Sequence, residues 1–330
     1  MTRNCKDLLR AINMNYIKNV ILFADDEHQK LIDEKGRTVI HLALKWPDIL
    51  EYILPKMHEY VNTKDHKGNT PLHHISKLYG VKQLPICEIL FKIKEELDLK
   101  LDLNVRNDLG ETPLLYSIRK NMCPEYSLYL IKQGADIFIS NNDLETPLHL
   151  SAGSFRLEPL KTLIDRGAKN SLNIRGEDVL YYAMTKCLKE EKILYLLENE
   201  EIVMNSVGME YKYGDNLLHI AVVSEGINVI RKILEKKLGV DVNKRNHFGQ
   251  TPLHMLMEYV ADSSWVCDED MEKYIEIIKC LIEYGAYISI RDNPTKGFPD
   301  GRTPAEYVNI NDDYSVKIAK FLNEWQDLPS

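Results

Sequence analysis

Thr70-Pro71-Leu72-His73 is the stretch that decides the fold, because the same four residues return along the chain, either intact or altered. Intact copies begin at Thr146 and Thr251. Altered copies begin at Thr38, Thr112, Asp178, Asn216 and Thr303. The steps between successive copies are 32, 42, 34, 32, 38, 35 and 52 residues, so the chain carries a repeat with a usual period near 33 residues.

This tetrapeptide predicts the start of a helix. Its Thr accepts a hydrogen bond from a free backbone N–H of the first helical turn, and its Pro stands where a missing N–H loses no bond. A turn signal such as Asp65-His66-Lys67-Gly68 precedes it, in which Gly tolerates positive φ. A second helix follows and is ended by a Gly-Ala pair, as at Gly134-Ala135. Each unit is therefore predicted as turn, helix, loop and helix.

A period of this length with this tetrapeptide resembles the ankyrin repeat, over nearly the whole chain. The resemblance implies an all-α fold, an ankyrin-repeat solenoid of stacked helix-turn-helix units with β-turn or hairpin fingers. We expect N-terminal capping helices over residues 1–32, about eight repeats over 33–325, and a C-terminal tail over 326–330. The repeats are predicted to start near residues 33, 65, 107, 141, 173, 211, 246 and 298.

Several stretches depart from the regular pattern. Repeat 5 has Asp178 in place of Thr and lacks Pro, so we expect the stack to be most irregular there. Leu144 occupies the turn position that is usually Gly. Residues 199–211 are interpreted as a linker, and residues 261–270 as an acidic insertion that holds Trp265.

Composition restricts the class of partner. The chain has 330 residues, a formal net charge of −8 and a pI near 5.7, which disfavours binding to nucleic acid or to an anionic membrane. No apolar run approaches the length of a membrane span, and the N-terminus lacks a secretory signal. The 6 cysteines are scattered, which suits a reducing compartment. We expect a cytoplasmic protein, with a nuclear one as the alternative, that is monomeric alone.

The sequence offers little sign of chemistry. The histidines at the last position of the tetrapeptide are His41, His73, His149, His219 and His254. Each can reach back to its own helix start, and the resemblance implies that each braces neighbouring repeats. We expect no catalytic residues, no cofactor and no metal site. An enzyme is the alternative of a different class, with its site near Cys187 or Cys267, although no histidine is close in sequence to either cysteine.

The ankyrin resemblance also implies where a protein partner binds, namely on the finger tips and the inner face of each first helix. The candidate partner-binding residues on these positions and on the insertion are Lys35, Arg37, Lys45, Trp46, His66, Lys67, Lys77, Arg119, Lys120, Arg175, Tyr213, Phe248, Glu258, Tyr259 and Trp265. The early repeats present basic residues and repeat 7 presents an acidic one, so we expect an electrically polarised surface. The aromatic residues are candidate interface anchors.

These observations predict a non-enzymatic protein–protein interaction module. The mechanism is rigid presentation, because a preformed surface loses little entropy when it binds. The alternative is a regulator or inhibitor, or a pathogen effector, that acts by occluding a host or signalling protein.

Overall fold

The computed structural model describes residues 32–78, 83–120, 124–186, 189–224, 226–236, 239–262, 268–295, 297–307 and 313–326. Regular structure in these ranges is helical, and the only strand-like pairings in them are two isolated bridges, Ile32 with Thr38 and Thr295 with Phe298. The predicted all-α fold is confirmed. The predicted capping helices, apart from Ile32, lie outside the described residues, as do Trp265, Cys187, Cys267 and residues 327–330.

The chain divides into two compact units, unit 1 over Met1–Lys169 and unit 2 over Asn170–Ser330. The division falls just before repeat 5, the repeat that lacks the Thr and Pro of the helix start. Repeats 1 to 4 therefore form unit 1, and repeats 5 to 8 form unit 2.

The described residues of unit 1 contain four pairs of helices. Its first helices are α1 (Val39–Ala43), α3 (Pro71–Ile75), α5 (Pro113–Lys120) and α7 (Pro147–Ala152). Its second helices are α2 (Pro47–Ile53), α4 (Gln83–Glu96), α6 (Pro124–Lys132) and α8 (Glu158–Asp165). Each first helix packs on the first helix of the next repeat, and each second helix packs on the next second helix. Helical hairpins that stack in sequence order bury one core between neighbours.

Unit 2 repeats this arrangement with one addition. Its first helices are α9 (Val179–Lys186), α12 (Leu217–Val223), α14 (Pro252–Asp262) and the short 3₁₀ helix Pro304–Glu306. Its second helices are α10 (Glu190–Glu198), α13 (Ile227–Glu235), α15 (Asp268–Glu283) and α16 (Asp313–Gln326). An extra helix, α11 (Glu200–Ser206), packs against α9 and α10.

Helix α11 corrects the interpretation of residues 199–211 as a linker. Asn199 caps this helix, because its side chain accepts a hydrogen bond from the backbone N–H of Ile202 (3.0 Å). The hydroxyl of Ser206, at the end of α11, donates to the carboxylate of Asp178. Asp178 also accepts from the N–H of Tyr181 (2.8 Å) and so caps α9 in place of the missing Thr. The added helix thus completes the altered helix start of repeat 5.

The fingers between repeats are closed by a side chain that folds back on its own turn. In repeat 2, Asp65 Oδ1 accepts hydrogen bonds from the backbone N–H groups of Lys67 (2.8 Å) and Asn69 (2.9 Å). Asn107 and Asn246 close the fingers of repeats 3 and 7 in the same way. Gly68 has a φ of 71°, and Leu144 takes the same left-handed conformation with a φ of 59°. The enlarged finger that introduces repeat 8 begins at Asp292, whose backbone N–H donates to the carbonyl of Arg302 (2.9 Å).

Candidate functional site

The histidines of the tetrapeptide form a buried frame under the fingers. His73 Nδ1 accepts a hydrogen bond from the backbone N–H of Thr70 (3.1 Å), and its Nε2 donates to the carbonyl oxygen of Glu111 in the next repeat (2.9 Å). His41, His219 and His254 bond their next repeats in the same way, at 3.1, 3.0 and 3.0 Å. The predicted bracing of neighbouring units is confirmed for these four residues.

This geometry requires a neutral imidazole. A backbone N–H can only donate to Nδ1 and a carbonyl can only accept from Nε2, so in His41, His73 and His254 the proton must sit on Nε2 alone. Burial lowers the pKa of His73 to about 4 and also lowers the pKa of His41, His219 and His254. These side chains are therefore structural and remain uncharged at neutral pH.

Backbone hydrogen bonds link neighbouring fingers in both units. In unit 1, His66 N–H donates to the carbonyl of Lys35 (2.9 Å), and Asp108 N–H donates to that of Lys67 (3.2 Å). In unit 2, His247 N–H donates to the carbonyl of Tyr213 (2.7 Å). The tip side chains therefore project from a linked row of turns.

A concave pocket of about 520 Å³ lies between the fingers and first helices of repeats 1 and 2. The rings of His41 and His74 line it, in edge-to-face contact with 5.0 Å between their centroids. The cations that line it are Lys35, Arg37, Lys45, Lys67 and Lys77. The structure thus brings these five candidate residues together, with His66 beside them.

Seven of the candidate residues are Lys or Arg of repeats 1 to 3, and two of these seven already have acidic partners. Arg37 pairs with Asp33 at 2.6 Å. Arg119 pairs with the buried carboxylate of Glu111, with 2.8 Å between Nη2 and Oε2. Among the described residues, no carboxylate lies within ion-pair distance of Lys35, Lys45, Lys67, Lys77 or Lys120. These five lysines carry the unpaired positive charge.

Tyr116 in helix α5 gathers three of the cations. Lys77 Nζ, Arg119 Cζ and Lys120 Nζ lie 5.4, 5.1 and 5.3 Å from the centroid of its ring. The face of a phenol ring attracts cations at such distances. The ring thus brings cations of repeats 2 and 3 close together. Tyr116 is not among the candidates from the sequence, because it does not lie on a turn tip.

The candidate aromatic residues of unit 2 occupy neighbouring fingers. Tyr213 and Phe248 are 48% and 53% exposed, and their ring centroids lie 5.6 Å apart. Lys212 Nζ lies 4.6 Å from the centroid of the Tyr213 ring. Tyr213 has a φ of 69°, a strained value for a bulky residue. The two rings form an exposed apolar patch on the finger tips of repeats 6 and 7.

The remaining candidate residues lie apart from the pocket and from the aromatic patch. Glu258 accepts a hydrogen bond from Gln250 Nε2 (2.8 Å) in repeat 7. Tyr259 is exposed and packs edge-on against Tyr274, with 6.4 Å between ring centroids. Arg175 forms an exposed ion pair with Glu177 at 2.9 Å. Trp46 is half-buried at the start of helix α2. None of these residues joins the pocket of repeats 1 and 2.

The two units differ in charge. Residues 1–169 contain 24 Lys and Arg against 23 Asp and Glu, whereas residues 170–330 contain 18 against 27. Unit 1 is therefore close to neutral and unit 2 is strongly acidic. The five lysines without an ion-pair partner among the described residues belong to unit 1, and the polarised surface stays a prediction.

The described part of the chain holds no cluster of three or more metal-ligating side chains, and no helix in it is long and apolar enough to cross a membrane. Cys87 and Cys280 are both buried free thiols. Burial raises the pKa of the Cys280 thiol, which disfavours the reactive thiolate.

Comparison with known proteins supports the repeat assignment. No protein-family model matches the chain. The chain is 28% identical to the 26S proteasome regulatory subunit p28 of Saccharomyces cerevisiae, over 56% of this chain and 76% of that protein. It is 28% identical to the ankyrin repeat protein FPV115 of fowlpox virus, over 88% of this chain and about half (56%) of that protein.

A solved structure has the same fold. The ankyrin repeat domain of Bcl-3, a member of the IkappaB protein family, superimposes with a TM-score of 0.52 and 20% identity. The match covers 77% of this chain and 99% of that domain. At this identity the likeness bears on the fold alone.

Proposed function

Because the chain is an ankyrin repeat protein, we propose that it is a protein–protein interaction module that binds a protein partner through its finger tips and the exposed ends of its first helices. Binding is by rigid presentation. The repeats hold a preformed surface, so little conformational entropy is lost when a partner docks.

One observation carries this proposal: exposed side chains stand on turns that are held by hydrogen bonds within the turn and by a hydrogen bond to the neighbouring finger. Asp65 closes the finger of repeat 2 from within, and the His66 N–H ties that finger to Lys35 of repeat 1. The exposed side chains of Lys35 and Lys67 line the pocket and have no ion-pair partner among the described residues. Tyr213 and Phe248 are displayed on linked fingers in unit 2. A folded stack has no need of large exposed rings, whereas interfaces use them as anchors.

The comparisons support the same class of function. The p28 protein is, by its name, a regulatory subunit of a larger assembly, the 26S proteasome, and a subunit of this kind has to bind other proteins. As the alternative to a simple interaction module, we propose a regulator that acts by occluding the protein it binds. Enzymatic chemistry at a cysteine finds no support in the described thiols, because Cys87 and Cys280 are buried.

Affinity capture from the native cell with the full chain tests the proposal. Phe248→Ala and Trp46→Ala remove large rings from the candidate surface, and circular dichroism checks that each variant folds. Lys132→Ala, on the exposed end of helix α6, serves as the control. We expect at least one ring variant to lose a partner that the wild type and the control retain. Equal recovery of every partner by all folded variants would contradict the surface assignment.

A further inference from the structure

The equivalent side chains of successive repeats reveal an incomplete pair in repeats 1 and 2. The residue just before the helix-start position and the residue eight further on lie side by side. In repeat 3 they are Glu111 and Arg119, which form an ion pair. In repeat 7 they are Gln250 and Glu258, which share a hydrogen bond of 2.8 Å. In these two repeats, the two positions contact each other within the same repeat.

Repeats 1 and 2 keep the cation of this pair and lack the acid. Lys45 and Lys77 occupy the place of Arg119, and Arg37 and Asn69 occupy the place of Glu111. From repeat 3 to repeat 6 the first position is acidic throughout, as Glu111, Glu145, Glu177 and Asp215. Repeats 1 and 2 therefore place a lysine at the second position of the pair without an acidic residue at the first.

The acidic groups nearest these lysines are otherwise engaged or lie at the rim. Asp65 accepts from His74 Nε2 (2.7 Å) and from two backbone N–H groups of its own turn. Asp33 is bonded to Arg37. Glu34 lines the pocket as an exposed side chain. Burial and the charges of Lys120, Lys67 and Arg37 lower the pKa of Lys77, although Asp65 acts in the opposite direction.

We propose that the pocket of repeats 1 and 2 binds an acidic, extended segment of a partner protein, whose carboxylates pair with Lys45 and Lys77 from outside as Glu111 pairs with Arg119 from within. This inference rests on the proposed function and names the chemistry of the partner. Lys35 and Lys67 on the finger tips also line the pocket and add positive charge, and Leu44 and Leu78 line it with apolar surface.

The spacing suits an extended chain. Lys45 and Lys77 hold the same place in consecutive repeats, whose packed helices are separated by about 8–10 Å. An extended peptide advances about 3.3 Å per residue, with alternate side chains on the same face. Carboxylates two residues apart therefore lie on one face of such a chain, about 7 Å apart, and could pair with the two lysines.

A direct binding measurement tests the inference. The full chain is titrated into a labelled ten-residue peptide in which Glu and Leu alternate, and fluorescence anisotropy gives the affinity. A peptide with Gln in place of Glu is the matched probe. We expect the Glu peptide to bind at least tenfold more tightly. We expect the Lys45→Gln/Lys77→Gln double variant to lose at least tenfold, while Lys132→Gln stays within twofold.

Four results would overturn the inference. They are equal affinity for the Glu and Gln peptides, an unchanged affinity in the folded double variant, tighter binding of a single-stranded oligonucleotide of equal charge, and self-association of the chain that the double variant abolishes. The last two would assign the pocket to phosphate or to a second copy. This inference can fail while the proposed function stands. If the double variant still captures a native partner, the chain is an interaction module, but the partner does not bind in this pocket.

Discussion

The carboxylate of Glu111 and the guanidinium of Arg119 form a two-point hydrogen-bonded ion pair within repeat 3, with 2.8 Å between Oε2 and Nη2. Glu111 is 1% exposed, and its backbone carbonyl also accepts from His73 Nε2 of the preceding repeat. Glu111 therefore links the buried histidines to the exposed cations.

Glu111→Gln should lower the free energy of unfolding by about 1–3 kcal/mol, because a buried, charge-assisted pair becomes a weaker neutral one. Urea denaturation followed by circular dichroism measures the change. Glu88→Gln, an exposed carboxylate on helix α4, is the control and should change stability by less than about 0.5 kcal/mol. Equal values for the two variants would show that the Arg119 pair contributes nothing.

Stability should fall as the pH is lowered from about 6.5 to about 4. His73 has a pKa of about 4 when folded and 6.5 when unfolded, so in this window the unfolded chain binds more protons. The neutral His73 side chain makes its full contribution to the free energy of unfolding above pH 6.5. That contribution, roughly 3 kcal/mol, is lost as the pH falls through the folded pKa of about 4. Carboxylates with lowered pKa, such as Asp65 at about 2, act at lower pH.

Urea denaturation between pH 7 and pH 4.5 checks this window. His73→Gln should be less stable at pH 7 and should show a shallower dependence on pH than the wild type. A free energy of unfolding that is constant from pH 7 to pH 5 would contradict the assignment of neutral, buried histidines.

Gly68→Ala should destabilise the chain more than Gly176→Ala. Both glycines have positive φ, so each substitution carries a backbone cost of about 1 kcal/mol. A Cβ on Gly68 would also lie 2.8 Å from the backbone nitrogen of Asp108 in the next finger, whereas a Cβ on Gly176 meets nothing within 4 Å. We expect a total of about 2–3 kcal/mol for Gly68→Ala. Equal losses would mean that adjacent fingers do not touch there.

Leu148→Ala should cost about 2–5 kcal/mol, because this side chain of helix α7 is 1% exposed and its loss leaves a cavity. Leu109→Ala, on a finger tip and 58% exposed, is the control and should cost less than about 0.5 kcal/mol. Thermal and urea unfolding measure both. A loss below about 1 kcal/mol for Leu148→Ala would show that the register of the repeats is wrong.

The fold could be predicted from the sequence wherever a local signal fixes it. The Thr-Pro start and the histidine three residues after Thr are a local cap, so Thr70 and His73 could be assigned a shared role without coordinates. The fixed period then required neighbouring hairpins to bury their cores against each other. The signal failed at residues 199–211, because helix α11 depends on Ser206 reaching Asp178, a contact between residues 28 apart in sequence.

The candidate surface was only partly predictable. The positions of Lys35, Lys67, Tyr213 and Phe248 follow from the repeat register alone. The partners of the cations do not, because the contact of Glu111 with Arg119 crosses from a finger to the end of a helix and has no helical spacing. Aligning the repeats by their Thr shows where the acid of this pair is missing, although the contact itself is seen only in the structure, in repeats 3 and 7.

The central claim is that a protein partner docks on the finger tips. Its most direct test is photo-crosslinking in the native cell, with benzoylphenylalanine placed in turn at positions 67, 248 and 132. We predict crosslinks to one protein partner from the finger positions 67 or 248, and none from position 132 on helix α6. Crosslinks to that partner from position 132 alone, or equally from all three positions, would contradict the account.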